Sequence, residues 1–334
     1  MTQGTQNKSV LSEYMGPQDP PPFDYAGTGD PYLISDEDPY LVKQEQQETL
    51  DPDAPEVPKF RLLSLSGIRN LPDPEWLVQR FLQTDSFAVL FGAPGSTKSF
   101  FALDLALSIA TGLEFHGGDV RKGQVVYAAG EGLRGLKWRV ESWLLAHPEA
   151  DEADVERNLH IIPDVPHLLD NLHTTKLLNT AEAVADSGDA LRLVIVDTWA
   201  RAMVGGDENS QKDAGLAIHA CERIRKSTGA TILVVHHTGT EGTRERGSTA
   251  LRGAADTSIM AVHEEMTRYT TVTVKKMKDG EAGHQSTFAL KPFAHSVVLQ
   301  NVKPSLTGLG GPAPVVRDRE YYARKAVEKK EGPF

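Results

Sequence analysis

Phe87-Ala88-Val89-Leu90-Phe91-Gly92-Ala93-Pro94-Gly95-Ser96-Thr97-Lys98-Ser99 is the stretch that decides the fold of this chain. Residues 87–91 are consecutively apolar, the pattern of a short strand buried on both faces. Residues 99–110 then run at helical period and stop at Thr111-Gly112. Between them, residues 92–99 nearly match G-x-x-x-x-G-K-[ST], in the strand–loop–helix context that a phosphate-binding loop requires. Such a loop wraps backbone N–H groups around phosphate oxygens at a helix N-terminus. Lys98 supplies positive charge to the β- and γ-phosphates, and the Ser99 hydroxyl ligates Mg²⁺. Gly92 and Gly95 let the backbone approach closely. The expected ATP-binding segment is therefore Gly92, Ala93, Pro94, Gly95, Ser96, Thr97, Lys98, Ser99 and Phe100, with Mg²⁺ as the companion ion. Thr97 departs from the motif, which has its second fixed glycine there. If that position needs a positive φ, a β-branched residue costs about 1–3 kcal/mol of strain.

Working outward, apolar runs alternate with helical patterns. Residues 124–129, 159–162, 191–196 and 231–235 read as strands. Leu136, Val140, Trp143 and Leu144 recur at helical spacing. Residues 214–228 read as a helix, with Gly229 as its stop signal. Residues 257–262, 269–275, 288–290 and 297–299 read as further strands, an antiparallel region at the end of the sheet. Strands alternating with helices predict an α/β fold, with a mostly parallel central sheet flanked by crossover helices.

Ligands of open α/β sheets lie beyond the C-terminal strand ends, so polar residues there are site candidates. Asp197 ends Leu193-Val194-Ile195-Val196-Asp197, four apolar residues and an acid, the Walker B pattern in which the carboxylate holds Mg²⁺ through water. Glu131 follows Ala128-Ala129-Gly130 and is either a general base for the attacking water or a charge at a helix N-terminus. His236 and His237 end the strand at 231–235. One of them can sense the γ-phosphate, or both can be structural; two adjacent histidines are not a metal motif. Lys276 and Lys278 leave another strand. They reach a neighbouring subunit's γ-phosphate in the manner of an arginine finger, or form a solvated hairpin tip.

With 334 residues, 40% hydrophobic and 24% charged, the chain can build one large α/β domain with extensions. The net charge of −11 is unevenly placed. Residues 1–60 hold 12 acids and 3 lysines, leaving 34 acids against 32 Lys/Arg in the remainder. The folded part is nearly neutral, so charge neither supports nor excludes nucleic-acid binding. Residues 1–60 also hold nine of the 20 prolines and read as a disordered acidic arm, a solvated tail or a docking site for a protein partner. Residues 61–302 form the expected ATPase domain. Residues 303–334 are a Gly-rich linker and a short charged helix. No apolar run approaches the roughly 18 residues of a membrane span, and no signal peptide is expected. The lone Cys221 fits a reducing cytoplasm.

The ordered set of motifs resembles one family. Residues 92–99, Ala129-Gly130-Glu131-Gly132, Val194-Ile195-Val196-Asp197-Thr198, Val234-Val235-His236-His237-Thr238-Gly239 and Ser248-Thr249-Ala250-Leu251-Arg252-Gly253 look like the RepA-like branch of the RecA/DnaB ATPases. Many of these are phage- or plasmid-encoded and carry the AAA or RecA-like label. The resemblance spans residues 62–302. It implies a RecA-like core and a homo-oligomer, a hexameric ring or a filament, with ATP between subunits. It implies Glu131 as catalytic base, Asp197 at Mg²⁺ and His236 as γ-phosphate sensor. It also implies that the loops after the Asp197 and His236 strands face single-stranded DNA, through Arg201, Lys212, Arg244, Arg246 and Arg252. Those loops contain no aromatic residue for base stacking. The function expected from the resemblance is a replicative helicase. A filament-forming recombination ATPase and a nucleotide-gated loader with little hydrolysis stand as alternatives.

Overall fold

The computed structural model describes residues 62–130, 132–238 and 249–302. In chain order the elements are α1 (Leu65–Arg69), β1 (Trp76–Val78), β2 (Leu82–Gln83), β3 (Phe87–Gly92), α2 (Lys98–Thr111), β4 (Gln124–Ala129), α3 (Leu133–Ala146), α4 (Glu152–Asn158), β5 (Leu159–Ile162) and α5 (Asn171–Asp186). They continue with β6 (Leu191–Asp197), α6 (Trp199–Ala202), α7 (Gln211–Thr228), β7 (Thr231–His237), α8 (Thr249–Ala254), β8 (Thr257–Glu264), β9 (Tyr269–Met277), β10 (Gln285–Phe293) and β11 (Ser296–Asn301). Helix α1 belongs to a unit of its own that ends at Asn70, and Ser64 caps it by accepting from Gly67 N–H.

From Leu71 onward the second unit is built on a nine-stranded sheet in the order β11-β10-β9-β8-β3-β7-β6-β4-β5. Strands β8, β3, β7, β6, β4 and β5 pair in parallel. Strands β9, β10 and β11 extend the β8 edge in antiparallel fashion. A small hairpin, β1–β2, stands apart from this sheet.

Strand alternation sorts the buried side chains into two cores. Ala88, Leu90, Val125, Tyr127, Leu193, Ile195, Leu233 and Val235 face one side, packed with Phe101, Leu105 and Ile109 of α2, Trp143 of α3 and Val155 of α4. Phe87, Val89, Phe91, Val126, Val194, Val196, Ile232 and Val234 face the other, against Leu177 of α5, Trp199 of α6, Cys221 and Ile224 of α7 and Leu251 of α8. Each large side chain so buried contributes about 1.5–3 kcal/mol. Because central strands are buried on both faces, they read as continuous apolar runs in the sequence. Phe81, Phe101, Phe115 and Phe288 tie α2 to the antiparallel strands by edge-to-face contacts.

A polar network also anchors α2 from below. The buried Asp104 accepts from Trp143 Nε1 at 2.5 Å and contacts His116 Nε2 at 2.7 Å. Among the described residues no helix is long and apolar enough to cross a membrane. The acidic arm expected at 1–60 and the linker and short helix expected at 303–334 lie outside the described residues.

Candidate functional site

Strand β3 ends at Gly92 and α2 begins at Lys98, so the loop sits at the C-terminal end of a central strand. Gly92 is fixed by crowding: a Cβ there would overlap the Ala261 carbonyl oxygen and Ser96 Oγ. Gly95 needs its freedom for a φ of +78°. Thr97 occupies the left-handed region at φ 64° as the residue before α2. The strain foreseen for a β-branched residue is therefore present, and a hydrogen bond accompanies it. Thr97 Oγ1 donates to Thr270 Oγ1 at 2.9 Å, and Thr270 Oγ1 lies 3.0 Å from His263 Nδ1. The Lys98 ammonium donates to the carbonyls of Gly92 and Ala93 at 2.9 and 2.8 Å, which holds its charge against the loop. Ser99 is the second residue of α2 and is partly exposed.

Strand β7 lies between β3 and β6, so three neighbouring parallel strands deliver the candidate groups. In register, Gly92 pairs with His237 and Val235 with Asp197. Thr238 N–H donates to the Gly92 carbonyl at 3.1 Å and ties β7 to the loop. Asp197 is buried, and its Oδ2 accepts from the Tyr127 hydroxyl at 2.7 Å. Its Oδ1 has no hydrogen-bond partner among the described residues, and neither has the neighbouring Thr198 Oγ1. Burying such oxygens without partners is costly. A hydrated cation would satisfy Asp197 Oδ1, and a carboxylate oxygen beside a hydroxyl is a donor set that fits Mg²⁺. Among the described residues there is no cluster of three acids, histidines or cysteines able to hold a metal alone.

Alternation separates the two histidines. His237 follows Val235 onto the face of α2 and Tyr127, whereas the fully buried His236 turns to the other core, 6.5 Å from the Trp199 ring centroid. Gly130 N–H donates to the Asp197 carbonyl at 2.6 Å, so β4 delivers the residue before Glu131 to the end of β6. Glu131 itself lies outside the described residues. Arg139 of α3 places its guanidinium 4.5 Å from the Phe100 ring centroid, beside the start of α2.

The AAA domain family matches residues 54–243, more than half of the chain. The chain belongs to this family of P-loop ATPases. A KaiC-like protein from the hyperthermophilic archaeon Pyrococcus horikoshii OT3 is similar in structure, with TM-score 0.48 and 15% identity over 67% of this chain and 93% of that one. No curated protein matches the chain.

The remaining candidates lie elsewhere on the chain, several of them beyond residue 243. Strand β9 runs antiparallel to β8, so its C-terminal end lies at the opposite sheet edge from the phosphate loop. Lys276 and Lys278 therefore do not join their own chain's loop. Lys276 Nζ donates to the carbonyls of Arg252, Gly253 and Ala255 at the end of α8, and Lys278 pairs with Asp256 at 3.1 Å. Arg201, Lys212 and Arg252 are exposed, on α6, α7 and α8. Arg244 and Arg246 lie outside the described residues. Tyr127, Thr198 and Arg139 are site neighbours that sequence reasoning missed. Tyr127 sat inside an apolar strand run, and only the β4–β6 pairing shows its hydroxyl beside Asp197. Burial first, and then the Asp197 charge, raises the Tyr127 pKa well above 10.0. The hydroxyl is thus a permanent donor. The assembled groups can hold a triphosphate at Lys98 and the α2 N-terminus and its metal at Ser99 and Asp197. Bound Mg²⁺ would neutralise charge on the transferring phosphoryl group.

Proposed function

We propose that this chain is an ATP-hydrolysing motor acting on DNA, a phage or plasmid replicative helicase of the RepA-like kind. One observation carries the hydrolytic part: the loop that follows β3 and leads to Lys98, His237 at the end of β7 and Asp197 at the end of β6 lie at the C-terminal ends of three contiguous parallel strands. In this reading Lys98 binds the β- and γ-phosphates, Ser99 and Asp197 hold Mg²⁺, and Glu131 is the general base. Sensing of the γ-phosphate falls to His237, which shares the Asp197 face, with His236 buttressing it from behind. ATP lies between subunits of a homo-oligomeric ring, where Lys276 and Lys278 serve the neighbouring subunit. The exposed Arg201, Lys212 and Arg252 support contact with single-strand phosphates. Residues 1–60 serve as a docking arm for a protein partner.

The test is steady-state ATP hydrolysis with and without single-stranded DNA, at low and moderate salt. Strong stimulation, weakening as salt rises, is the expected result. Hydrolysis indifferent to DNA would redirect the assignment to a protein-directed ATPase. The strained Thr97 favours a second reading, a nucleotide-gated loader, which ATP binding without hydrolysis would establish.

A further inference from the structure

We propose that Tyr127 is a positioning residue for the magnesium site: its hydroxyl clamps Asp197 Oδ2 so that Oδ1 stays available to metal-bound water. The inference rests on the reading of Asp197 as the Mg²⁺ residue. Strands β4 and β6 are neighbours, with Tyr127 in register with Ile195 and Ala129 with Asp197. The tyrosine therefore starts two residues behind the carboxylate on the adjacent strand and reaches it at 2.7 Å. Both residues are buried, at 2% and 5% exposure. In such a place a charge-assisted hydrogen bond is stronger and shorter than one between neutral groups.

The bond does something specific to the carboxylate. An aspartate rotates broadly about its terminal torsion, so an unrestrained one offers either oxygen in several orientations. With Oδ2 engaged by a donor, rotation is restricted and Oδ1 becomes the acceptor left open. Oδ1 is indeed the oxygen without a partner among the described residues, next to Thr198 Oγ1 in the same condition. The arrangement is asymmetric: one oxygen is fixed by protein and one is left for a ligand. A tyrosine that merely filled space would not need its hydroxyl on this acid.

Tyr127→Phe removes only the hydroxyl, and thermal melting verifies the fold. A fluorescent ATP analogue is titrated in EDTA and then at increasing Mg²⁺, and Mn²⁺ binding in the presence of ATP is followed by electron paramagnetic resonance. The expected result is unchanged affinity in EDTA, with half-saturating Mg²⁺ and Mn²⁺ raised about tenfold. Hydrolysis should recover at saturating Mg²⁺. In an Asp197→Asn background, where the metal response is already lost, Tyr127→Phe should add nothing. Metal dependence identical to wild type in Tyr127→Phe would overturn the positioning role. An additive effect on top of Asp197→Asn would overturn it too. A wild-type protein whose nucleotide binding ignores Mg²⁺ would instead refute the assignment of Asp197, a separate outcome.

Discussion

In the proposed function, nucleotide binding depends on Lys98. Its ammonium already sits among loop carbonyls that a phosphate would join, so Lys98→Ala should abolish ATP binding by equilibrium titration while leaving the fold intact. The histidines are separable in the same way. His237→Ala should lower turnover at unchanged ATP affinity, whereas His236→Ala should chiefly lower the melting temperature, because His236 is buried against Trp199. Reversal of that pattern would move the sensor to His236. Thr97→Val keeps the β-branch but removes the hydroxyl bonded to Thr270, and should cost about 1 kcal/mol in denaturant unfolding. The loop was readable because its chemistry is local: glycines, lysine and serine occur in fixed order. Tyr127 was not, because its meaning depends on a partner 70 residues away.

Among elements, α2 is buried along nearly its whole length, and Asp104 ties it to its neighbours. It joins α2 to Trp143 of α3 and to His116, so Asp104→Ala strands two polar groups and should destabilise by about 2–3 kcal/mol. Edge strand β5 carries a pH response. Burial lowers the pKa of His160 from its ordinary 6.5, and burial does the same to His284. The unfolded chain then takes up protons more readily than the folded one, so stability is full above about pH 6.5 and falls as pH drops below it. Denaturant midpoints at pH 7.5 and 5.5 should show the decline, and His160→Gln should reduce it. The central strands were legible as apolar runs because they are buried on both faces. Helix α5 was not, since it buries little more than Thr174, Leu177 and Ala181 beneath a polar surface. The one-turn α6 and the two-residue strand β2 are too short to carry a period at all.

At the scale of the whole molecule, the parallel and antiparallel parts of the sheet divide the labour. The match to the AAA domain family ends at residue 243, so β8 to β11 lie beyond it. These strands nevertheless touch the phosphate loop, through the Ala261 carbonyl at Gly92 and Thr270 at Thr97. The sequence indicated an antiparallel extension at this end of the sheet. Which polar ends then face the loop follows from strand direction, and direction is invisible in an apolar run. Reversal of β9 puts Lys276 and Lys278 a full strand length from their own loop. For the six residues of β3 that is roughly 20 Å. Any help these lysines give to hydrolysis must come from a second copy of the chain. The consequence is kinetic. Activity per molecule should rise with protein concentration until subunits are assembled. If the proposed assembly forms, mixing wild type with Lys98→Ala chains should yield more turnover than simple dilution of wild type allows, because in that arrangement a chain that cannot bind ATP would still lend its lysines to the next.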